Sequence, residues 1–339
     1  NVNDVTDATR TANRIAEEIS RRFRIDQSDL FASASIGIII AGPEYETADQ
    51  IVRDADTAMY RAKACGTSRH EIFDRTMHSQ VAGRLQMESD LRRAIDRQEF
   101  VLHFQPDVAL GSGKIVGVEA LVRWNSPELG VVPPFRFIPL AEDIGFISQL
   151  GKWVLYEACR QMIRWEEQGL SVPKIAVNLS VKQFERGSIA TMVADVLAET
   201  GLDPQRLQLE VTESVIMNTG DALAFINDLH AIGVGLAIDD FGTGYSSLAY
   251  LKQMPVQTLK IDRSFIKDIS TDINDEAITI AIIQLGKSLN LSVIAEGVET
   301  AEQAEFLLRH GCNLAQGYYY SRPVMPHALL EAWQVEQPG

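Results

Sequence analysis

GLAIDDFGTG, residues 235–244, joins a short apolar, β-prone run to two adjacent carboxylates, Asp239 and Asp240, and closes on a glycine-rich turn. Two acids side by side repel, so the pair calls for a cation or a strong hydrogen-bond network to compensate it. A strand end with solvated acids explains the stretch equally well if it stands alone. It does not stand alone. The same pattern, a β-rich run ending in a polar or acidic residue and leading into a helical stretch, recurs from residue 100 onwards: VLHFQP (101–106), IVGVEALVRW (115–124), KIAVNLS (174–180), LQLEVTES (207–214), TLKIDRSF (258–265), LSVIAEGVET (291–300) and NLAQGYYY (313–320). With GLAIDDF these make eight runs, which predicts an α/β fold of the closed β/α-barrel type. The connection around GSGK (111–114) is too short for a parallel crossover, so the first two strands should form an antiparallel hairpin. The expected architecture is a modified, TIM-like (β/α)8 barrel with one antiparallel strand, and with helices such as 149–168 and 219–232 outside it.

The 339 residues, 46% of them apolar, suffice for one large core and a smaller unit. Lys and Arg number 31 against 46 Asp and Glu, a formal charge of −15, which gives no basic field for a DNA or RNA duplex. A phosphate ester can still bind where metal ions or local Arg and Lys supply positive charge. Cys65, Cys159 and Cys312 lack ligand spacing, which favours inert thiols and a reducing, cytoplasmic setting. No apolar stretch reaches the roughly 18 residues of a membrane span, and no signal peptide precedes NVNDVTDATR.

Ahead of the barrel, DATRTANRIAEEISRRF (7–23) and TADQIVRDADTAMYRAKACG (47–66, closed by Gly66) have helical periodicity, while LFASASIGIII (30–40) and RHEIFD (69–74) read as strands. These elements make about half of a small α/β domain. A further helical run, 74–99, leads into the barrel, and the boundary is expected near residue 80, dividing the chain into 1–79 and 80–339.

Reactive groups of β/α barrels gather where strands end at the C-terminal face. Here those residues are Glu119, Asn178, Glu210, Asp239, Asp240, Lys260, Glu296 and Gln316. Any one of them is unremarkable as a polar strand cap, but their recurrence at the same place in successive units points to a convergent site. Oxygen donors select a hard divalent ion, Mg²⁺ or Mn²⁺, and the adjacent aspartates suit two ions that share a bridging carboxylate. Lys260 could then hold an attacking water or offset charge on a phosphoryl group. The six histidines form no HExxH motif, and His103 is read as core or barrel-lining. Proton abstraction beside a carboxylate, as in enolase-type barrels, is the rival chemistry, disfavoured by the lack of an opposing base. A silent binding barrel is the other alternative.

Residues 80–335 resemble the EAL family of cyclic-di-GMP phosphodiesterases. The likeness rests on EALVRW (119–124), NLS (178–180), EVTES (210–214), DDFGTGYSSL (239–248), LKIDRSF (259–265), AEGVET (295–300) and QGYYYSRP (316–323). It implies hydrolysis of cyclic di-GMP to linear pGpG in bacterial second-messenger signalling linked to biofilm control. By this resemblance Glu119, Asn178, Glu210 and Asp239 correspond to ligands of one metal, and Asp239, Asp240 and Glu296 to those of a second. Lys260 looks like the family's water-associated lysine, Gln316 like its active-site glutamine and Arg123 like the arginine that meets the substrate phosphate. Glu213 resembles the glutamate that steadies the loop after the Asp pair, 241–251, with Ser246 or Ser247 as further ties, and the family's habit of pairing subunits implies a homodimer. Gln105 and Asp262, near strand ends, are candidates for contacts with guanine.

The first 70 residues resemble the C-terminal portion of a GGDEF diguanylate cyclase domain through SASIGI (33–38) and DADTAMYRAKACGTSRHEIFD (54–74). The GGDEF signature is absent, so no cyclic di-GMP synthesis is expected from this chain. RRFRID (21–26) has RxxD-like spacing but precedes no GGDEF turn, and is read as a helix end approaching a strand.

Overall fold

The strands that carry the predicted site close on themselves. In the computed structural model, which describes residues 5–25, 28–30, 32–43, 45–64, 69–184, 189–213, 222–244, 251–269 and 271–336, the chain forms two compact units, Asn1–Asp90 and Leu91–Gly339. In the first, β1 (Phe23–Ile25) and β2 (Ser28–Leu30) form an antiparallel pair. β3 (Ile36–Ile38) pairs in parallel with β4 (His70–Ile72), accompanied by helices Val5–Ile19 and Ala48–Ala64. Of the run predicted as a strand over 30–40, Ile36–Ile38 forms β3, while Leu30 ends β2 in a different sheet. A further helix, Thr76–Ala94, carries His78 in its first turn, whose Nε2 lies 2.8 Å from Asp54 Oδ1 on helix Ala48–Ala64. Gly66, the expected helix stop, lies outside the described residues.

In the second unit the strands are β5 (Phe100–Ala109), β6 (Ile115–Ser126), β7 (Gly130–Val132), β8 (Ile175–Asn178), β9 (Leu207–Thr212), β10 (Gly235–Phe241), β11 (Thr258–Ile261), β12 (Ser292–Ala295) and β13 (Leu314–Ala315). The sheet order is β5-β13-β12-β11-β10-β9-β8-β6, and the β5–β6 pairing closes it into an eight-stranded TIM-like barrel. β5 runs antiparallel to both β6 and β13, whereas every other pairing of the closed barrel, from β6–β8 round to β12–β13, is parallel. The hairpin expected around GSGK is present, closed by Gly113 N–H donating to the Ala109 carbonyl at 2.8 Å.

Two features extend the sequence reading. β7 adds a third antiparallel strand to the β5–β6 ribbon, outside the closed barrel, through Trp124↔Val132. β5 also continues past Pro106, where the predicted run ends. Phe104 donates its N–H to Val324, on the side away from β6, and Pro106 shares that side by alternation. The missing donor is tolerated there because β13 pairs only with Val108 and Ala109.

The helices Ile147–Glu167, Ile189–Thr200, Ala222–Ile232, Ile273–Ser288 and Ala301–His310 alternate with the strands. Helix Ile147–Glu167 shows the pattern most plainly: Leu150, Val154, Leu155, Ala158, Met162 and Trp165 recur at three- and four-residue spacing and are buried, with Trp165 edge-on to Phe104 of β5. Ala301–His310 begins with a capping box, Thr300 and Gln303 satisfying each other's backbone N–H, and ends on Gly311. No helix among the described residues is long and apolar enough to cross a membrane.

Candidate active site

Adjacent residues of a regular strand face opposite sides of the sheet, so Asp239 and Asp240 could not both reach one site from an unbroken β10. The strand is broken here. Against β11, Ile238 pairs with Leu259 and Phe241 with Ile261, so both aspartates stand opposite the single residue Lys260. This is a β-bulge, and Asp240 takes up the extra residue with φ of 52°, a left-handed conformation that Asp tolerates better than most residues. Asp239, Asp240 and Glu296 can then each offer a carboxylate oxygen within 4.8 Å of the others.

Lys260 occupies the middle of the cluster and is 1% exposed. Its Nζ lies 2.6 Å from Glu296 Oε1, 2.8 Å from Glu210 Oε2, 3.3 Å from Glu119 Oε2 and 3.5 Å from Asp239 Oδ1. Two amides brace Glu119: Asn178 Nδ2 donates to Oε1 at 2.7 Å and Gln316 Nε2 to Oε2 at 2.9 Å. The register explains the convergence, since Glu119 sits beside Ala176, Asn178 beside Glu210, and Glu210 beside Ala237 on parallel strands.

Burial dominates the electrostatics. It would strip the proton from the Lys260 ammonium, but Glu119, Glu210, Glu296 and Asp239 outweigh it and hold the group charged well above the usual lysine range. Burial pushes Glu210 well above the ordinary carboxylate range against the opposing pull of Lys260, and carries Glu296 to about 8. Asp240 rises to about 6 through burial, then Asp239 beside it, then Asp262. Burial also acts upward on Glu119, but Lys260, Gln316 and Asn178 together bring that group below its usual value. One ammonium among so many acids leaves a surplus of negative charge, and a site built from oxygen donors under such repulsion fits Mg²⁺ or Mn²⁺. Asn178 suits the same role, because its donating Nδ2 turns the amide oxygen to the other side.

Glu213 reaches across to the turn that follows β10. Its Oε2 accepts from Gly242 N at 2.9 Å and from Gly244 N at 3.3 Å. Gly242 has φ of 102°, and a Cβ on Gly244 would lie 2.8 Å from Glu213 Oε1, so both glycines are needed for the turn to close on the carboxylate. Ser246 and Ser247 lie outside the described residues. Replacing Glu213 with Ala is expected to lower turnover on the order of 100-fold, as about 1 Å of drift at the bulge misplaces Asp239 and Asp240. Far-UV circular dichroism should stay unchanged while metal titration shows weaker binding; normal turnover and metal affinity would remove Glu213 from this role.

The remaining predicted residues lie around the mouth. Gln105 faces Glu119 across β5 and β6, is buried, and donates from Nε2 to the Ser321 carbonyl at 3.2 Å. Arg123 is half-buried, its Nη1 donating to the Val122 carbonyl at 2.9 Å. Asp262 caps the short helix Arg263–Lys267 by accepting from Ser264 N at 2.9 Å and from the Ser264 hydroxyl. A guanine contact by Asp262 therefore has to share the carboxylate with that cap. His103 is tied to the Pro323 carbonyl at 3.3 Å and takes no part in the cluster. Sequence reasoning passed over Asp107, a buried acid that accepts from Gln316 Nε2 at 3.2 Å. Its two-residue spacing from Gln105 was the available signal, hidden by ending the strand at Pro106.

Residues 88–323 match the EAL domain family, and residues 1–69 match the diguanylate cyclase GGDEF domain family. The bifunctional diguanylate cyclase/cyclic di-GMP phosphodiesterase MucR of Pseudomonas aeruginosa is 46% identical over 325 residues, 96% of this chain and 47% of MucR. The cyclic di-GMP phosphodiesterase PdeR of Escherichia coli is 36% identical over 323 residues, 95% of this chain and 48% of PdeR. The chain thus spans about half the length of these curated relatives. Among solved structures, the PaMucR phosphodiesterase in complex with c-di-GMP superposes with a TM-score of 0.70 at 50% identity, covering 72% of this chain and 99% of that one. The EAL domain of DcpA from Mycobacterium smegmatis gives a TM-score of 0.60 at 35% identity, with 71% of this chain and all of that chain covered.

Proposed function

The chain belongs to the EAL domain family and carries a GGDEF-family segment at its N-terminus, and we propose that it hydrolyses one phosphodiester bond of cyclic di-GMP to give linear pGpG. The observation that carries this reading is Lys260, buried among Glu119, Glu210, Asp239 and Glu296 beside the Asp239–Asp240 bulge. The substrate is taken from the relatives named for this activity.

In this reading Glu119, Asn178, Glu210 and Asp239 hold one divalent ion, and Asp239, Asp240 and Glu296 a second. Two such ions, when bound, supply the positive charge that activates water and neutralises a phosphodiester for in-line displacement. Lys260 orients the attacking water and offsets charge as the P–O bond to the leaving sugar oxygen opens. Arg123 pairs with a phosphate oxygen, Gln316 braces Glu119, and Gln105 and Asp262 face the guanines. The catalytic unit is taken as 80–339, working in the cytoplasm as a homodimer whose interface acts on the bulge through the loop that Glu213 anchors.

Incubating the protein with cyclic di-GMP and Mg²⁺ or Mn²⁺ and separating the products by chromatography tests the proposal. Accumulation of pGpG supports it; tight binding with no turnover would make the barrel a receptor. Ca²⁺ is expected to inhibit when added to the Mg²⁺ enzyme, since its longer, looser coordination fits the carboxylates but misplaces the water. Equal turnover with Ca²⁺ and Mg²⁺ would contradict the assigned ligand geometry.

A further inference from the structure

We propose that Asp107 is a positioning residue for this site: it fixes the Gln316 amide so that its NH₂ steadies Glu119 and its carbonyl oxygen turns to the cavity at the barrel mouth. The proposal rests on the phosphodiesterase reading above. Gln105 and Asp107 share the inner face of β5, with Gln105 opposite Glu119 and Asp107 one step deeper, opposite Gly117. The pairing with glycine makes room for the acid, because a Cβ at position 117 would stand 3.2 Å from Asp107 Oδ2.

An amide has two donor hydrogens on nitrogen and one acceptor oxygen. Gln316 Nε2 spends its hydrogens on Asp107 Oδ1 at 3.2 Å and Glu119 Oε2 at 2.9 Å. A flipped amide would set its oxygen against the ionised Glu119 and give up the donor to Asp107, so the acceptors on both sides favour this orientation. Without Asp107, Glu119 is the remaining acceptor for this NH₂ among the described residues. The cavity that Gln316 lines, with Gln105, Glu296 and Tyr318, has a volume of 160 Å³, enough for a polar group of a ligand at the mouth.

Stability alone gives no reason for an acid at this depth. Asp107 is 7% exposed, and burial pushes it to about 7, with Lys260 opposing and Glu119 and Asp239 adding repulsion. An apolar residue of similar size suits a barrel interior better, and residues retained against stability are commonly retained for function.

Two substitutions separate this role from a structural one. Asp107→Leu removes the acceptor; Asp107→Asn keeps an acceptor oxygen and removes the charge. The expected result for Asp107→Leu is a Tm equal to or above that of the parent, a kcat reduced by about 30-fold and Mn²⁺ affinity, read by titration calorimetry without substrate, weakened by about tenfold. Asp107→Asn should rescue both to within about threefold. A Tm that falls in both variants would make Asp107 structural, full activity and affinity in Asp107→Leu would make it dispensable, and equal impairment of the two would assign the effect to charge; each overturns the proposal. If the parent protein fails to turn over cyclic di-GMP, the phosphodiesterase reading fails by itself, and the Mn²⁺ titrations of the two variants still decide for or against Asp107.

Discussion

Replacing Lys260 with Met should lower kcat by about 1,000-fold, within the range by which a positioned proton-handling group accelerates a reaction, while KM for cyclic di-GMP moves far less. Lys260 lies buried in the middle of the carboxylate cluster, and in the proposed mechanism it meets the attacking water and the phosphoryl group rather than a base or sugar. The same change acts on stability. It leaves Glu119, Glu210, Asp239 and Glu296 facing one another without the ammonium that lies 2.6–3.5 Å from each, and removing one partner of a buried ion cluster costs about 3–5 kcal/mol. The variant should therefore melt well below the parent in chelator and recover much of the difference in Mg²⁺, because ions that bind only the folded state stabilise it by mass action. Steady-state kinetics and thermal unfolding in both buffers check this. Normal turnover in Lys260→Met, or a melting temperature indifferent to Mg²⁺, would take Lys260 out of the centre of the site.

Asp239→Asn should be at least as damaging. Asp239 is assigned to both ions and holds the bulge through Asp240 N, which donates to its Oδ1 at 3.0 Å. Asn keeps that acceptor and the side-chain volume, so the barrel stays folded, but the bridging charge is gone. A loss of about 1,000-fold in kcat, roughly 4 kcal/mol of barrier, is expected, with the second equivalent of Mn²⁺ missing from a calorimetric titration. Two bound equivalents and near-normal turnover would show that the bridge lies elsewhere.

Why these residues were legible in the sequence, and others not, follows from what periodicity can encode. Glu119, Glu210, Lys260 and Glu296 each end or interrupt an apolar run, and parallel neighbours bring such positions to one level, so the cluster followed from the strand pattern. The β5–β6 hairpin followed from loop length. The bulge did not: the Asp pair announced itself, but only the register shift against β11 and the φ of 52° at Asp240 explain how both carboxylates reach the same space. β7 was hidden because GVV (130–132) is too short to register as a run. Pro106 concealed Asp107, since a proline inside a strand reads as its end unless the neighbouring strand stops short. Asp262 reads from spacing as a strand-end acid, yet in the fold its carboxylate caps Arg263–Lys267, a local competition that spacing does not reveal.

The most direct measurement runs the reaction in H₂¹⁸O with Mg²⁺ and weighs the product. Attack by water held between the carboxylates and Lys260 places solvent oxygen on phosphorus, so pGpG should carry one ¹⁸O, located on its terminal phosphate, and a chelator should abolish its formation. Unlabelled pGpG, labelled product formed undiminished in chelator, or no pGpG at all would contradict the account.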